Sequence, residues 1–248
     1  MAPSPVSIVT VTRNGLFFTR LLIEKIREFT TDRPYEVLVV DRGSSDGTRR
    51  WIAQQPDARL LRFGQWRTRG HGHGQAAERA VRRARYDRIL LIDFDAHPVS
   101  PDWLTGSIDR LDARHRLAGA VFVDPHLGNP HGWYIHPHFM AFFKADLGGL
   151  VVLRKRLGDT TDTGEESTVR VLAAGFDIIR HDMTLCTRFA VGNPHVPTVA
   201  GGVFHAWYSS RLENNEAEVI QETNGAVTRA NYLDPLMAKQ RREYRLDY

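Results

Sequence analysis

The sequence has 248 residues, of which 42% are hydrophobic and 25% charged, and its formal net charge is +4. These proportions are typical of a soluble globular protein, and no apolar run approaches the roughly 20 residues that a transmembrane helix needs. The single cysteine, Cys186, excludes an internal disulfide, and the first residues lack the basic stretch and apolar core of a secretion signal. We therefore expect a cytoplasmic, bacterial protein without an integral membrane segment.

Arginine supplies nearly all of the positive charge, because the chain contains only four lysines. The planar guanidinium suits phosphate groups, since it donates two parallel hydrogen bonds. A genome rich in G and C would also favour arginine codons over lysine codons, so the bias has a second explanation. The basic residues are scattered rather than collected in one tail, and we expect no nucleic-acid partner. The composition leaves the oligomeric state open.

The first hundred residues alternate short apolar runs with stretches of helical periodicity, a pattern typical of a parallel sheet wrapped by helices. The runs predict strands at residues 6–11, 36–41, 59–63 and 88–93. The periodic stretches predict helices at residues 16–29, 45–54 and 74–84.

The second half is less regular. It predicts helices at residues 103–111 and 165–174 and strands at residues 118–123 and 176–180. Residues 126–139 are rich in Gly, Pro, His and aromatic side chains, which favours an irregular, functional loop. Residues 217–226 and 235–244 are polar and predict surface helices or a mobile tail.

Polar residues follow three of the predicted strands: Thr12 and Arg13 the first, Asp41 the second, and Asp93 with Asp95 the fourth. Ligands of open parallel sheets bind at the carboxyl ends of the strands, so we expect these residues to line one crevice. Two carboxylates two positions apart project to the same side and can hold Mg²⁺ or Mn²⁺ beside a diphosphate. The alternative is that both acids are merely solvated in a turn.

Three segments together resemble the signature of family 2 glycosyltransferases. They are the first strand with its threonines, residues 39–48 with their Asp-Arg-Gly-Ser-Ser-Asp-Gly-Thr run, and residues 90–96 with their Asp-Phe-Asp. The Gly- and Ala-rich residues 69–77 are similar to the stretch that precedes a sheet-packing helix in this family. The resemblance covers about residues 6–110.

This resemblance implies the GT-A (Rossmann-like) fold, an α/β architecture with a mixed, mostly parallel sheet flanked by helices and followed by a C-terminal extension. It implies a nucleotide-sugar-binding lobe at residues 1–100 and an acceptor-binding, catalytic lobe at residues 101–210. Residues 211–248 would then form a helical extension of the same structural domain.

The resemblance also implies roles for the residues at the strand ends. Thr10 and Asp41 would contact the base of the nucleotide, and Arg69 would approach it. Asp93 would bind ribose or metal, and Asp95 would be the main ligand of a Mn²⁺ or Mg²⁺ cofactor. The family often has a second acid after the position of Asp41, whereas this chain has an arginine there.

Three acids are candidates for the general base that removes the proton of the acceptor hydroxyl. Asp162, Glu165 and Glu166 are similar to the acidic pair that opens the acceptor-side helix of the family. The alternative is structural, because acids favour the N-terminus of any helix and Asp162 with Glu165 resembles a capping box. The sequence does not choose among the three.

A late histidine, His205, resembles the metal-ligating histidine of some GT-A enzymes. The residues after it, Trp207, Tyr208 and Arg211, would then form a loop that closes over the diphosphate. Upstream, we predict that Trp133, His136 and His138 line the acceptor pocket, with ordinary loop residues as the alternative. His126 and His131 belong to the same histidine cluster, and we expect them to line the acceptor pocket as well. The spacing of the cluster is not that of a zinc site.

The sequence therefore predicts an inverting, metal-dependent glycosyltransferase that moves a sugar from a nucleoside diphosphate, with UDP as the expected nucleotide, to a hydroxyl group. The acceptor is expected to be a small metabolite. Two alternatives remain: a sugar-phosphate nucleotidyltransferase and a basic binding protein that keeps the fold without catalysis. The first would normally carry a Gly-rich phosphate loop after the first strand, which Thr-Arg-Asn-Gly at residues 12–15 matches poorly.

Overall fold

The computed structural model describes residues 3–62, 72–123, 130–154, 163–191, 197–207, 212, 219–222 and 225–248. None of the helices in these ranges combines the length and the apolar character of a membrane span. Several predicted site residues lie outside the described residues, namely Arg69, His126, Asp162, Tyr208 and Arg211.

The first half alternates strands and helices, as its periodicity predicts. In chain order these are β1 Val6–Thr12, α1 Leu16–Phe29, β2 Tyr35–Asp41, α2 Thr48–Ile52, β3 Ala58–Arg62, α3 Gly72–Arg83 and β4 Arg88–Ile92. Every residue of β1 is buried, because helices cover both faces of the sheet at this strand. α2 is shorter than predicted, and Asp46 precedes it and accepts a 3.0 Å hydrogen bond from the backbone N–H of Thr48.

The second half supplies the remaining strands and two helices. These are β5 Ala96–Pro98, β6 His115–Val123, β7 Trp133–Phe143, α4 Glu165–Ala173, β8 Asp177–Asp182, β9 Thr184–Leu185, β10 Thr198–Ala200, β11 Val203–His205, β12 Val219–Glu222, β13 Gly225–Thr228 and α5 Asp234–Tyr244. The sheet of seven strands has the order β3-β2-β1-β4-β7-β6-β8. β1 pairs in parallel with β2 and β4, whereas β7 runs antiparallel to both of its neighbours.

A second sheet has the order β5-β11-β10-β9 and is antiparallel throughout. Its strand β5 begins at Ala96, shortly after β4 ends at Ile92, so the chain passes directly from the main sheet into the second one. Both predicted lobes contribute strands to the main sheet. The assignment of the nucleotide to residues 1–100 and of the acceptor to residues 101–210 stays a prediction.

Three of the sequence-based element predictions are wrong. Residues 103–111 form turns and a single 3-10 turn, Ile108–Arg110, instead of a helix, and Gly106 lies in their middle. Within the predicted loop 126–139, residues 133–139 belong to β7. The strand accommodates Pro137 because this residue lies in a β-bulge, where proline is tolerated. Residues 219–222 and 225–228 form the antiparallel β12–β13 hairpin and not a helix, and both segments contain β-branched residues, which favour strands over helices.

The main sheet separates two apolar layers. On one face, α1 packs its Leu22, Ile23 and Ile26 against alternate residues of β1, β2 and β4. On the other face, the small residues of α3, among them Ala76 and Ala80, pack together with Val171 of α4. Each layer is built from side chains that alternate along the strands, as the two-residue period of a strand requires.

A third apolar cluster joins the C-terminal part to the core and excludes a freely mobile tail. Leu233 and Leu236 at the start of α5 are fully buried there with Phe204 of β11. At the end of α5, the Tyr244 hydroxyl lies 3.0 Å from Nε2 of His97 in β5. Burial lowers the pKa of His97 to about 3, so this ring is neutral near pH 7.

Gly164, which precedes α4, provides a test of this packing. Its φ of 100° is left-handed, and a Cβ there would lie 2.3 Å from the carbonyl oxygen of Ile135 in β7. Gly148 has a similar φ of 88° but no atom within 4 Å of such a Cβ. We expect Gly148→Ala to lower the free energy of unfolding by about 1–2 kcal/mol, the cost of the left-handed backbone, and Gly164→Ala to lower it by at least about 1 kcal/mol more through overpacking.

Denaturant unfolding of both variants measures this difference. Equal losses would show that α4 does not approach β7 as closely as described.

Candidate functional site

Two carboxylates project from the carboxyl end of β4. Asp93 follows Ile92, the buried last residue of the strand, and Asp95 is itself only 5% exposed. The chain then turns into β5, where Ala96 pairs with His205 of β11. The backbone N–H of Ala206 also donates a 3.0 Å hydrogen bond to the Asp95 carbonyl. The pairing of β5 with β11 and this hydrogen bond therefore place a distant histidine beside the acid pair.

Asp93, Asp95 and His205 form a group whose ligand atoms all lie within 4.8 Å of one another. Nε2 of His205 lies 3.4 Å from Oδ1 of Asp95 and 3.9 Å from Oδ2 of Asp93. Two carboxylates and one imidazole are a donor set that suits Mn²⁺ and accepts Mg²⁺. The residues that the sequence singled out as metal ligands therefore converge and fit a divalent cation.

His73 is a neighbour of this group that the sequence interpretation missed. It lies in the first turn of α3, and its Nε2 is 3.6 Å from Oδ1 of Asp93. One signal in the sequence could have identified it. His73 lies within the Gly- and Ala-rich residues 69–77, which resemble a stretch of the family next to its sheet-packing helix.

The predicted acceptor residues His136 and His138 lie on a β-bulge of β7. Gly119 of β6 pairs with Met140 of β7, and Val121 pairs with Ile135. The single residue Ala120 of β6 therefore lies opposite residues 136–139 of β7, which form the bulge. The carbonyl of His138 accepts a 3.3 Å hydrogen bond from the backbone N–H of Asp93. The bulge thus places both imidazoles at the carboxyl end of β4, and bulges often re-aim side chains in this way.

Aromatic contacts connect these histidines to the metal-binding group. The ring of His138 stacks on that of His205, with centroids 4.2 Å apart and an interplanar angle of 11°. Trp207 lies 4.4 Å from His205 and 5.1 Å from His136. The pKa of His138 is lowered well below its usual value, chiefly by burial and to a smaller extent by the neighbouring His205 and His136. His138 is therefore a neutral ring.

Trp133 is separated from the other predicted acceptor residues. Its ring contacts His131 at 6.1 Å and the guanidinium of Arg180 at 5.1 Å. It packs with the α3 and α4 layer of the core. Its role at the acceptor stays a prediction without a described contact to His136 or His138.

The predicted nucleotide-binding residues lie at the carboxyl ends of β1 and β2. Thr12 and Asp41 are partners in the register of the two strands. The Asp41 carboxylate accepts hydrogen bonds from the backbone N–H groups of Gly43 and Ser44, at 3.1 and 3.2 Å. Asp41 therefore shapes the loop after β2, and its contact with a base stays a prediction.

The two threonines of β1 are both buried. The Oγ1 of Thr12 lies 2.9 Å from that of Thr19, a contact that connects β1 to α1. Thr10 has a buried Oγ1 without a hydrogen-bond partner among the described residues. Arg13, just beyond the strand, is exposed. Their roles in nucleotide binding stay predictions.

The two described candidate bases differ in their surroundings. Oε1 of Glu166 accepts two hydrogen bonds from Arg170, at 2.9 and 2.5 Å, and this pair lines a cavity of about 360 Å³ on the α3–α4 side. Glu165 is only 3% exposed. It is the first residue of α4. In the same helix, Oγ1 of Thr168 accepts a 2.9 Å hydrogen bond from the backbone N–H of Ile135 in β7. Glu165 thus lies beside the strand that carries His136 and His138.

Comparison with solved structures agrees with this architecture. A mannosyltransferase from Pyrobaculum calidifontis, solved with GDP-Man and Mn²⁺, is 22% identical with a TM-score of 0.53, and the match covers 72% of this chain and 55% of that protein. The chain thus spans about half of that protein's length. This similarity shows the GT-A fold, as the sequence predicted.

Weaker structural matches are a mannosyl-3-phosphoglycerate synthase from Rubrobacter xylanophilus and TarS of S. aureus with UDP-GlcNAc. The first is 25% identical with a TM-score of 0.38 and covers 50% of this chain and 41% of that protein. The second is 21% identical with a TM-score of 0.38 and covers 51% and 37%, respectively. No curated protein matches the sequence.

The family described as Glycosyl transferase family 2 matches residues 7–184, which include β1 to β8 and both acids at the end of β4. The match extends well beyond residues 6–110, where the motifs of the sequence are concentrated, and includes α4 with its acidic first turn. The chain belongs to glycosyl transferase family 2.

Proposed function

We propose that this protein transfers a sugar from a nucleoside diphosphate donor to a hydroxyl acceptor, with inversion and with a divalent cation held by Asp93, Asp95 and His205. The observation that carries the proposal is the convergence of these three side chains at the carboxyl end of β4. Open α/β sheets bind ligands at such an edge. The presence of GDP-Man and Mn²⁺ in the Pyrobaculum calidifontis mannosyltransferase supports the same chemistry.

When bound, the cation would neutralise negative charge on the departing diphosphate. The chain itself supplies two carboxylates and one imidazole, and burial of Asp95 and His205 limits their exposure to water. The aromatic ring of Trp207 packs beside His205. The side chain of His73, in the first turn of α3, lies 3.6 Å from Oδ1 of Asp93.

The donor nucleotide is proposed to lie along the ends of β1 and β2. Thr12 and Asp41 are adjacent in register there, and Arg13 follows them at the exposed rim. UDP is our expected nucleotide. The similar mannosyltransferase was solved with GDP-Man, so a thermal-shift comparison of UDP and GDP with Mn²⁺ decides between them, because a ligand that binds the native state raises its stability.

Glu165 is the proposed general base. The Glu166 carboxylate is paired with the guanidinium of Arg170 one turn along α4, and both side chains line the cavity on the α3–α4 side. Glu165 is buried at the end of α4 that contacts β7. The acceptor oxygen attacks the anomeric carbon, the bond to the diphosphate oxygen breaks, and Glu165 takes the hydroxyl proton. This single displacement inverts the configuration.

We expect Asp95→Ala to weaken UDP binding at least tenfold in the presence of Mn²⁺, because it removes a buried ligand of the cation. Isothermal titration calorimetry measures both proteins with Mn²⁺ and again with EDTA, where their affinities should agree. Asp247→Ala, which changes an exposed acid outside the site, is the control. Equal affinities of wild type and Asp95→Ala with Mn²⁺ would contradict the metal site.

We expect Asp41→Asn to weaken UMP and UDP by similar factors, because the proposed contact is with the nucleoside and not with the phosphates. Asparagine keeps one oxygen that can accept the N–H groups of Gly43 and Ser44, which protects the loop. Calorimetric titration of both nucleotides gives the two factors. A loss confined to UDP would place Asp41 in the metal site instead.

We expect Glu165→Gln to lower turnover by about a hundredfold or more while the KM for the donor changes little, as for a group that acts on a proton in the transition state. Glu166→Gln is the matched control. It should cost only a few tenths of a kcal/mol of stability, about the worth of an exposed i,i+4 ion pair, and leave turnover near normal.

Turnover is followed as UDP release with water or an added alcohol as acceptor, together with the melting temperature. Normal turnover of Glu165→Gln, with a large loss in Glu166→Gln, would reverse the assignment.

A further inference from the structure

His138 is a fully buried histidine that the proposed chemistry does not use. It is 0% exposed, and it lies on the bulge of β7 directly beside Asp93. The sequence placed it in the acceptor pocket, yet its closest ring contact is with His205.

Among the residues that the structure describes, none makes the hydrogen bond that usually orients a metal-ligating histidine to the imidazole of His205. Such a ring normally donates its second N–H to a carboxylate, a carbonyl or a water, and this hydrogen bond fixes the ring plane. Nε2 of His205 faces Asp93 and Asp95. Its buried Nδ1, in contrast, has no hydrogen-bond partner among the described residues. Some other interaction must hold the ring.

Stacking supplies that interaction. The rings of His138 and His205 are nearly parallel, at 11°, with centroids 4.2 Å apart. Trp207 adds a tilted contact to His205 at 4.4 Å. A flat ring against a flat ring restricts rotation about the terminal torsion of His205, which is otherwise broad. The stack thus keeps Nε2 directed at the two carboxylates.

His138 is itself held in place by hydrogen bonds. Nδ1 of His136 accepts the backbone N–H of His138 at 3.3 Å and lies 2.8 Å from Nδ1 of His138. Because Nδ1 of His136 acts as an acceptor, Nδ1 of His138 carries the proton. The His138 backbone is fixed as well, since its carbonyl accepts the N–H of Asp93. The stacking ring therefore has a defined orientation.

We propose that His138 is a positioning residue that orients His205 toward the cation by ring stacking. This inference rests on the proposed function, because it assumes that His205 binds the metal. It gives the bulge of β7 a role in the metal site as well as in the acceptor pocket.

The test uses the intact protein and Mn²⁺ alone, without any donor or acceptor. His138→Phe keeps a flat ring and loses the hydrogen bond, whereas His138→Asn keeps a donor near the position of Nδ1 and loses the ring. His138→Leu is a second variant without a flat ring, in case Asn does not fold. His115→Asn, which changes a partly exposed histidine at the start of β6 and outside the stack, is the matched control, and His205→Ala is the reference for loss of the ligand.

Calorimetry gives the Mn²⁺ affinity, and pulsed electron paramagnetic resonance detects the coupling of Mn²⁺ to the imidazole nitrogen. We expect His138→Asn and His138→Leu to bind Mn²⁺ about tenfold or more weakly, within the range for residues that orient metal ligands, and to lose most of the nitrogen coupling. His138→Phe should stay within about threefold of wild type with its coupling intact. Melting temperatures without metal identify variants that fail to fold.

Normal affinity and coupling in the folded Asn or Leu variant would overturn the inference. Loss in His138→Phe together with retention in His138→Asn would also overturn it, because the hydrogen bond and not the stack would then matter. Equal losses in Phe and Asn count against stacking as well. If His205→Ala keeps the wild-type affinity and coupling, the proposed metal site itself fails, which separates the two hypotheses.

Discussion

The antiparallel strand β7 is the constraint on which both sides of the candidate site depend. It pairs with β4, which ends at the acid pair, and with β6, the next strand of the sheet. Its bulge places the carbonyl of His138 on the backbone N–H of Asp93. Its Ile135 contacts the start of α4: the carbonyl of Ile135 lies against Gly164, and its backbone N–H donates a hydrogen bond to Thr168. The acid pair, the histidine stack and Glu165 are thus positioned by one strand.

Close backbone contacts make this arrangement possible, and glycine is required where they occur. Gly119 of β6 lies opposite the bulge with φ 155°, and a Cβ there would be 2.1 Å from the carbonyl oxygen of Phe139. Gly74 in the first turns of α3 lies so close to the carbonyl of Leu153 that a Cβ would overlap it. A side chain at either position would push β7 or α3 away from the site. These two glycines therefore contribute to the site by allowing the close approach of the elements around it.

The second sheet and the C-terminal part bring the third metal-binding side chain. β11 pairs with β5, and Phe204 beside His205 packs into the third apolar cluster with Phe189 and Leu236. Apolar burial of this kind contributes about 25 cal/mol per Å². The C-terminal helix α5 thus supports the position of His205, although it supplies no group to the candidate site among the residues that the structure describes.

Local signals in the sequence determined the family, the strands and helices of the first half, and the acids Asp93 and Asp95 as metal candidates. They did so because apolar periodicity and strand-end chemistry depend on neighbouring residues alone. Local patterns were misleading where pairing with distant residues decides the structure. Pro and His at residues 136–138 suggested a loop, but β4 and β6 on either side hold them in a bulged strand.

The tertiary structure alone decided that His73 approaches Asp93 and that Glu165 and Glu166 differ. It also supplied the contacts by which His205, named from the sequence only by resemblance, meets the acid pair. Each of these facts depends on contacts between residues far apart in the chain, such as the pairing of Ala96 with His205. No spacing rule encodes them, because such contacts form only when strands pair and helices pack. The sequence therefore determined which chemical groups are present, whereas the packing of the chain decided which of them act together.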